Sequence, residues 1–237
     1  MTSNAYSSRG SFSDFQEAVS QRWDQGLDLV DVEYGDGTWF GVFQDDPDIT
    51  SNAYSSRGSF SDFQEAISQR WDQGLDLVDV EYGDGTWFGV FQDDPSISSS
   101  AYSSRESFSD FQEAISQRWD QGYDLVDVEY GDGIWFGVFQ DDPNINLSAY
   151  SYRESFSDFQ EAISQRWDQG YDLVDVEYAD GVWFGVFQDD PDITSNAYSS
   201  RGSFSDFQEA VSQRWDQGYD LVDVAYGNGT WFGVFHA

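Results

Sequence analysis

The chain has no cysteine and no lysine, one histidine, one methionine and four prolines among its 237 residues. Without cysteine there is no disulfide, no thiolate nucleophile and no zinc–thiolate centre, and the redox compartment stays open. Without lysine the only cationic side chains are ten arginines, set against 45 acidic residues for a net charge of −35. Nucleic acid is therefore excluded as an expected partner, because phosphate would meet a repulsive field with no basic stripe to release its counterions. An anionic membrane surface is excluded on the same ground. The opening MTSNAYSSRG has neither a basic nor an apolar signal region, so a cytoplasmic location is expected. Aromatic residues, in contrast, make up 19% of the chain, far from the aromatic-poor composition of disordered acidic segments.

The abundance is organised. YGDGTWFGVF, starting at Tyr34, returns almost unchanged at Tyr82, Tyr130, Tyr178 and Tyr226, each 48 residues from the last. A strict period of this size marks a repeat architecture. One domain over 1–237 is expected, built from repeats 3–50, 51–98, 99–146, 147–194 and 195–237.

Within a repeat, SDFQEAVSQRWDQG places Phe15, Ala18, Val19 and Trp23 on a helical stripe. Ser13 has the spacing of an N-cap with Gln16 three residues on, and Gly26 suits the C′ position. The period then falls from 3.6 to 2. LDLVDVEYGDGTWFGVF predicts two strands around Asp36-Gly37, a type I′ hairpin signal. That turn pairs Tyr34 with Trp39, Val32 with Gly41 and Val30 with Phe43 on an apolar side, leaving Asp31 and Glu33 on the other. Gly41 is expected to leave room for an aromatic neighbour. NAYSSR predicts a further strand, so each unit reads β-α-β-β, and the acidic QDDPDITS linkers join units through exposed turns.

Terminal repeats of an open solenoid need modified outer faces. Here repeat one keeps Phe15, Trp23, Trp39 and Phe43, and repeat five keeps Phe207, Trp215, Trp231 and Phe235. The expected fold is therefore an α/β closed five-fold toroid, propeller-like, with small mixed sheets, hairpins inside and helices outside. The unit is a circular permutation of the ββαβ unit of the pentein α/β-propellers, an analogy of architecture alone. The catalytic cysteine of the guanidine-modifying penteins has no counterpart.

In sequence, the repeats resemble those found C-terminal to kinase domains in bacterial serine/threonine kinases and plant casein-kinase-like proteins. Their pattern is a phenylalanine before a short helix, W-x-x-G-[YF], a hydrophobic strand and Y-G-x-G-x-W-x-x-V. Phe12, Trp23, Gly26, Tyr34, Gly35, Gly37, Trp39 and Val42 match it, as do their equivalents every 48 residues, except that Ala179 replaces the first glycine in repeat four, Leu27 and Leu75 hold the [YF] position in repeats one and two, and the family's usual proline before the helix and VMSK-like strand ending are absent. The resemblance implies an accessory sensing or binding module and supplies neither a ligand nor catalytic residues.

The candidate chemistries each have a plainer reading. Asp31 with Glu33, and its copies Asp79/Glu81, Asp127/Glu129 and Asp175/Glu177, could form a hydrolytic carboxylate pair. A solvated strand face is the preferred reading, since repeat five has Ala225 in place of the glutamate. Asp45, Asp46 and Asp48 offer calcium-type oxygens on an exposed turn, but the spacing fits no calcium loop. Diffuse cation attraction is preferred there. His236 stands alone and is not read as a ligand or base. Arg9, Arg57, Arg105, Arg153 and Arg201 suit either an ion pair with a nearby aspartate or an anchor for a carboxylate or polar ligand. Arg22 and its copies are read as helix C-terminal charges. Trp39, Trp87, Trp135, Trp183 and Trp231 suit either the core or stacking on a sugar.

The function expected is a non-enzymatic symmetric scaffold or multivalent binding module, lectin-like in its most specific form. It would be a monomeric ring with equivalent clefts between repeats for an unidentified protein or carbohydrate ligand, with no cofactor, metal or catalytic residue. The alternative is an amplified or designed repeat selected only for folding.

Overall fold

A computed structural model describes residues 4–237. In unit one, strand β1 (Asn4–Arg9) is followed by helix α1 (Phe12–Trp23) and strands β2 (Asp28–Gly35) and β3 (Thr38–Gln44), and the same four elements recur in each unit. The β-α-β-β expectation is borne out. The strands form five separate three-stranded sheets, each with the third strand in the middle. Both pairings are antiparallel, so the expected mixed sheets are corrected to antiparallel ones.

Local chemistry explains the elements. The N-cap of α1 is Ser11, not Ser13: its side chain accepts from the Asp14 amide, with Asp14 in the first turn where the helix dipole favours negative charge. Both serines have the right chemistry, and β1 ends early enough for the helix to begin two residues sooner. At the other end the Gly26 amide donates to the Trp23 carbonyl and the Leu27 amide to that of Arg22. With Gly26 at φ 78°, these are the bonds of a Schellman stop. Asp36 and Gly37 both have positive φ, as a type I′ turn requires.

The hairpin register follows expectation from Tyr34↔Trp39 through Asp31↔Val42 and then slips, pairing Leu29 with Phe43. Val30 is the extra residue of a bulge, so Leu29 rather than Val30 shares the apolar face with Phe43. Gly41 leaves room as expected: a Cβ there would stand 2.9 Å from the Phe15 ring.

Both faces of each sheet are buried. One carries Leu29, Val32, Trp39 and Phe43 against Phe15 and Val19 of its own helix, and Phe88 and Val90 of the next unit complete that cluster. The opposite face of β3, with Phe40 and Val42, enters the cluster of Phe207, Val211 and Trp231 in unit five. Each helix thus serves two sheets. Fully burying a phenylalanine contributes about 1.5–3 kcal/mol, and for Phe40 and its copies that gain exists only when a neighbour is present. The acidic strands Asp28–Gly35, Asp76–Gly83, Asp124–Gly131, Asp172–Ala179 and Asp220–Gly227 run beside one another in chain order, with the last beside the first.

Candidate functional site

The five aspartates of those strands, Asp31, Asp79, Asp127, Asp175 and Asp223, are brought together around one cavity of about 130 Å³, walled otherwise by the valines that precede them. All five are buried, and so are Glu33, Glu81 and Glu129. The expectation of a solvated acidic strand face is overturned. The sheet's second face looks onto neighbouring units rather than water.

The carboxyls are held partly by backbone. Asp127 Oδ2 accepts from the Val80 amide of the preceding unit at 3.2 Å. Asp31 is similarly bonded by the Val224 amide and touches the Asp223 carboxyl. The Oδ2 atoms of Asp31, Asp79, Asp175 and Asp223 are buried without a hydrogen-bond partner. Burial pushes the pKa of Asp31 up to about 8, against the amides that favour its charged form. Glu177 is likewise raised to about 8 by burial. Burial raises Glu33 and Glu129 as well, and other carboxylates, Glu177 foremost, add to the effect.

Four linkers also converge. Asp46, Asp48, Asp94, Asp142, Asp190 and Asp192 line an open acidic basin of about 420 Å³ with Asn144, Ser96 and Pro95. The basin lies near the starting ends of the acidic strands. Asp28, at the start of β2, is raised to about 6 by burial and then by Asp46 and Asp45.

The arginines divide by position. Arg22 does more than complement the helix dipole: it donates to Ser7 Oγ at 3.1 Å, the Tyr6 carbonyl at 2.9 Å and Gln25 Oε1 at 3.1 Å, tying helix to edge strand. Its four copies repeat the pattern, as at Arg118. The hydrogen bond of Arg9 goes to the adjacent Ser8 carbonyl at 2.7 Å, and Arg57, Arg105, Arg153 and Arg201 do likewise. This is a backbone contact in place of the expected ion pair. Arg105 lines a cleft of about 380 Å³ with Phe60 of the preceding unit and with Ile134, Ser104, Glu106 and Asp110 of its own. Arg153 lines one of about 270 Å³ beside Asp158 and Glu161.

The hairpin tryptophans sit in the core. Trp39, Trp87, Trp183 and Trp231 are 1% exposed and Trp135 is 2% exposed. Phe12 and Phe15 lie 4.8 and 5.8 Å from the Trp39 ring, and Phe88 of the next unit 6.2 Å. Of the two readings these side chains allowed, their position supports the core, and stacking on a sugar would require the unit junction to open.

One cross-unit contact was not foreseen. Gln92 Nε2 donates to the Leu29 carbonyl of the preceding unit at 2.9 Å, beside the β2 bulge, and Gln44, Gln140 and Gln188 act the same way. In unit five His236 takes this place, with Nε2 2.8 Å from the Leu173 carbonyl. A carbonyl only accepts, so this nitrogen carries the proton. Burial holds the pKa of His236 below the ordinary histidine range.

The chain matches no protein-family model, and no curated protein is significantly similar to it. Among the described residues, no helix is long and apolar enough to cross a membrane.

Proposed function

We propose that the chain is a non-enzymatic scaffold closed into a five-fold toroid, whose recurring clefts bind multivalent ligands rich in carboxylate or hydroxyl groups. The observation that carries the reading is the Arg105 cleft: a guanidinium held by one backbone carbonyl, at an opening between units, with an apolar wall supplied by Phe60 and Ile134. A planar fork with donors to spare suits carboxylate and polyol oxygens. Closure is supported by the junction of units five and one, where Phe40 lies 5.9 Å from Phe207 and Tyr6 4.9 Å from Phe40, as Phe88 does from Phe15 and Tyr54 at the first junction. Equivalent sites on one rigid body bind clustered ligands with avidity beyond any single site.

The test is a glycan and acidic-peptide array probed with the intact chain and with a variant carrying alanine at Arg9, Arg57, Arg105, Arg153 and Arg201. Binding that favours densely printed ligands and falls at least about tenfold in the variant supports the reading. Absence of binding by the intact chain, or binding indifferent to the arginines, refutes it.

A further inference from the structure

The cavity enclosed by the acidic strands is a different place from the arginine clefts, and its chemistry has the opposite sign. It is lined by one aspartate and one valine from every unit and has a volume of about 130 Å³. Liquid water takes about 30 Å³ per molecule, so an ion with a few waters fits. Four of the aspartates present Oδ2 atoms that are buried and have no hydrogen-bond partner. Only Asp127 has its Oδ2 engaged, by the Val80 amide at 3.2 Å. A buried polar atom without a partner costs about 1–3 kcal/mol, more when charged. Four such atoms belong to side chains around one space, and turning those carboxyls inward would give them an occupant.

We infer that this cavity binds one calcium ion, with the five aspartates supplying a pentagonal set of oxygens and water completing the axial positions. Calcium takes six to eight hard oxygen ligands, often as a pentagonal bipyramid, at about 2.3–2.6 Å. The carboxyls of Asp31 and Asp223 already touch. Oxygens about 2.8 Å apart around a pentagon lie about 2.4 Å from its centre, inside the calcium range. Magnesium demands a near-ideal octahedron at shorter distances, which a five-fold set does not offer. Among the described residues no three acidic side chains are already arranged to hold a metal ion, so capture requires the carboxyls to turn inward about their side-chain torsions. Five converging strands make that the only freedom needed. The acidic basin formed by the linkers, near the starting ends of the same strands, concentrates cations there.

The experiment is calorimetric titration of the intact chain with calcium chloride and, separately, magnesium chloride, in a constant excess of sodium chloride. Two variants accompany it: Asp79→Asn with Asp175→Asn in the cavity, and Asp46→Asn, Asp94→Asn, Asp142→Asn and Asp190→Asn in the basin. The expected result is one calcium per chain, with affinity at least about tenfold above that for magnesium. The cavity variant should weaken it at least about tenfold, and the basin variant less than about threefold, since affinity follows the charge count of the ligands. Circular dichroism checks folding, and Asp175→Asn alone replaces the double variant if that fails to fold. No saturable binding, equal response to magnesium, or binding lost through the basin and kept through the cavity variant overturns the inference.

Discussion

Tyr34 lies so close to Gly83 of the next unit that a Cβ at position 83 would stand 2.3 Å from the tyrosine Cβ. Gly35 meets Tyr226 and Gly131 meets Tyr82 at the same distance, and Gly227 meets Tyr178 at 2.1 Å. None of these glycines has positive φ, so it is the approach of the neighbouring unit that excludes a side chain. In unit four Ala179 occupies this position, 3% exposed, and one junction therefore accommodates a methyl group. Gly83→Ala is predicted to cost about 1–3 kcal/mol through overpacking, whereas Ala179→Gly should change stability by less than about 1 kcal/mol. Urea midpoints of the two variants check this, and a neutral Gly83→Ala would show that the junction yields freely.

The buried acids predict a stability that falls as pH rises. Asp31 and Glu177 hold their protons to about pH 8 in the fold, against ordinary values of 3.8 and 4.5. Below about pH 4 both states are protonated and nothing is lost. Above that, the unfolded chain releases protons that the fold retains, costing about 1.4 kcal/mol per group for each pH unit until the folded value is passed. With chelator present, the urea midpoint should be higher near pH 5 than near pH 8, and Asp79→Asn with Glu81→Gln should flatten the slope. A maximum at or above neutrality would mean that the buried acids do not hold their protons in the fold.

His236 stands in for the cross-unit glutamine, bonding the Leu173 carbonyl as Gln92 bonds Leu29. His236→Gln should therefore be neutral within about 0.5 kcal/mol, while His236→Ala removes one of the two donors to the Leu173 carbonyl, leaving Asn196 Nδ2, and should cost about 0.5–1.5 kcal/mol. Thermal melts of both variants at neutral pH decide it. Equal losses would mean that ring packing, not the hydrogen bond, is what the position supplies.

Arg118 joins its helix to the edge strand through Ser103 and the Tyr102 carbonyl, and its guanidinium lies 5.8 Å from the Tyr123 ring. Lysine cannot reproduce a fork that reaches three acceptors. Arg118→Lys is predicted to lose about 1–2 kcal/mol, nearly as much as Arg118→Ala. Full retention of the chemical-denaturation midpoint by the lysine variant would reduce the arginine to a helix-end charge.

Deleting residues Ser51 to Ser98 removes one unit and leaves four. Phe40 and Phe136 types would still need a neighbour's helix, and under the proposed five-fold closure the curvature would not close with four. Sedimentation should detect oligomers or aggregate. A folded monomer melting near the parent would show that the units stack without closure.

The period, the helix stripe and the I′ turn were legible because each is decided within a few residues. A stripe needs only i, i+3 and i+4 neighbours, and Asp36-Gly37 carries its own positive φ. Ser11 as the cap, the Val30 bulge and the Gln92 contact were not legible, since two serines compete locally and the bulge is stabilised by a unit 48 residues away. The acidic strand face was misread for a related reason. Taken alone, DLVDVEYG alternates like a half-exposed strand, and only the meeting of five such strands buries Asp31 and Glu33. A clue lay in the neighbouring strand: TWFGVF is apolar at successive positions, the signature of a strand covered on both faces, and whatever covers β3 on its second side covers β2 as well. Local torsions and periodicity belong to the sequence, whereas the burial of charge, the closeness of Tyr34 to Gly83 and the cavity between five aspartates belong to the assembly. Those are interactions between residues that only the packed units bring together.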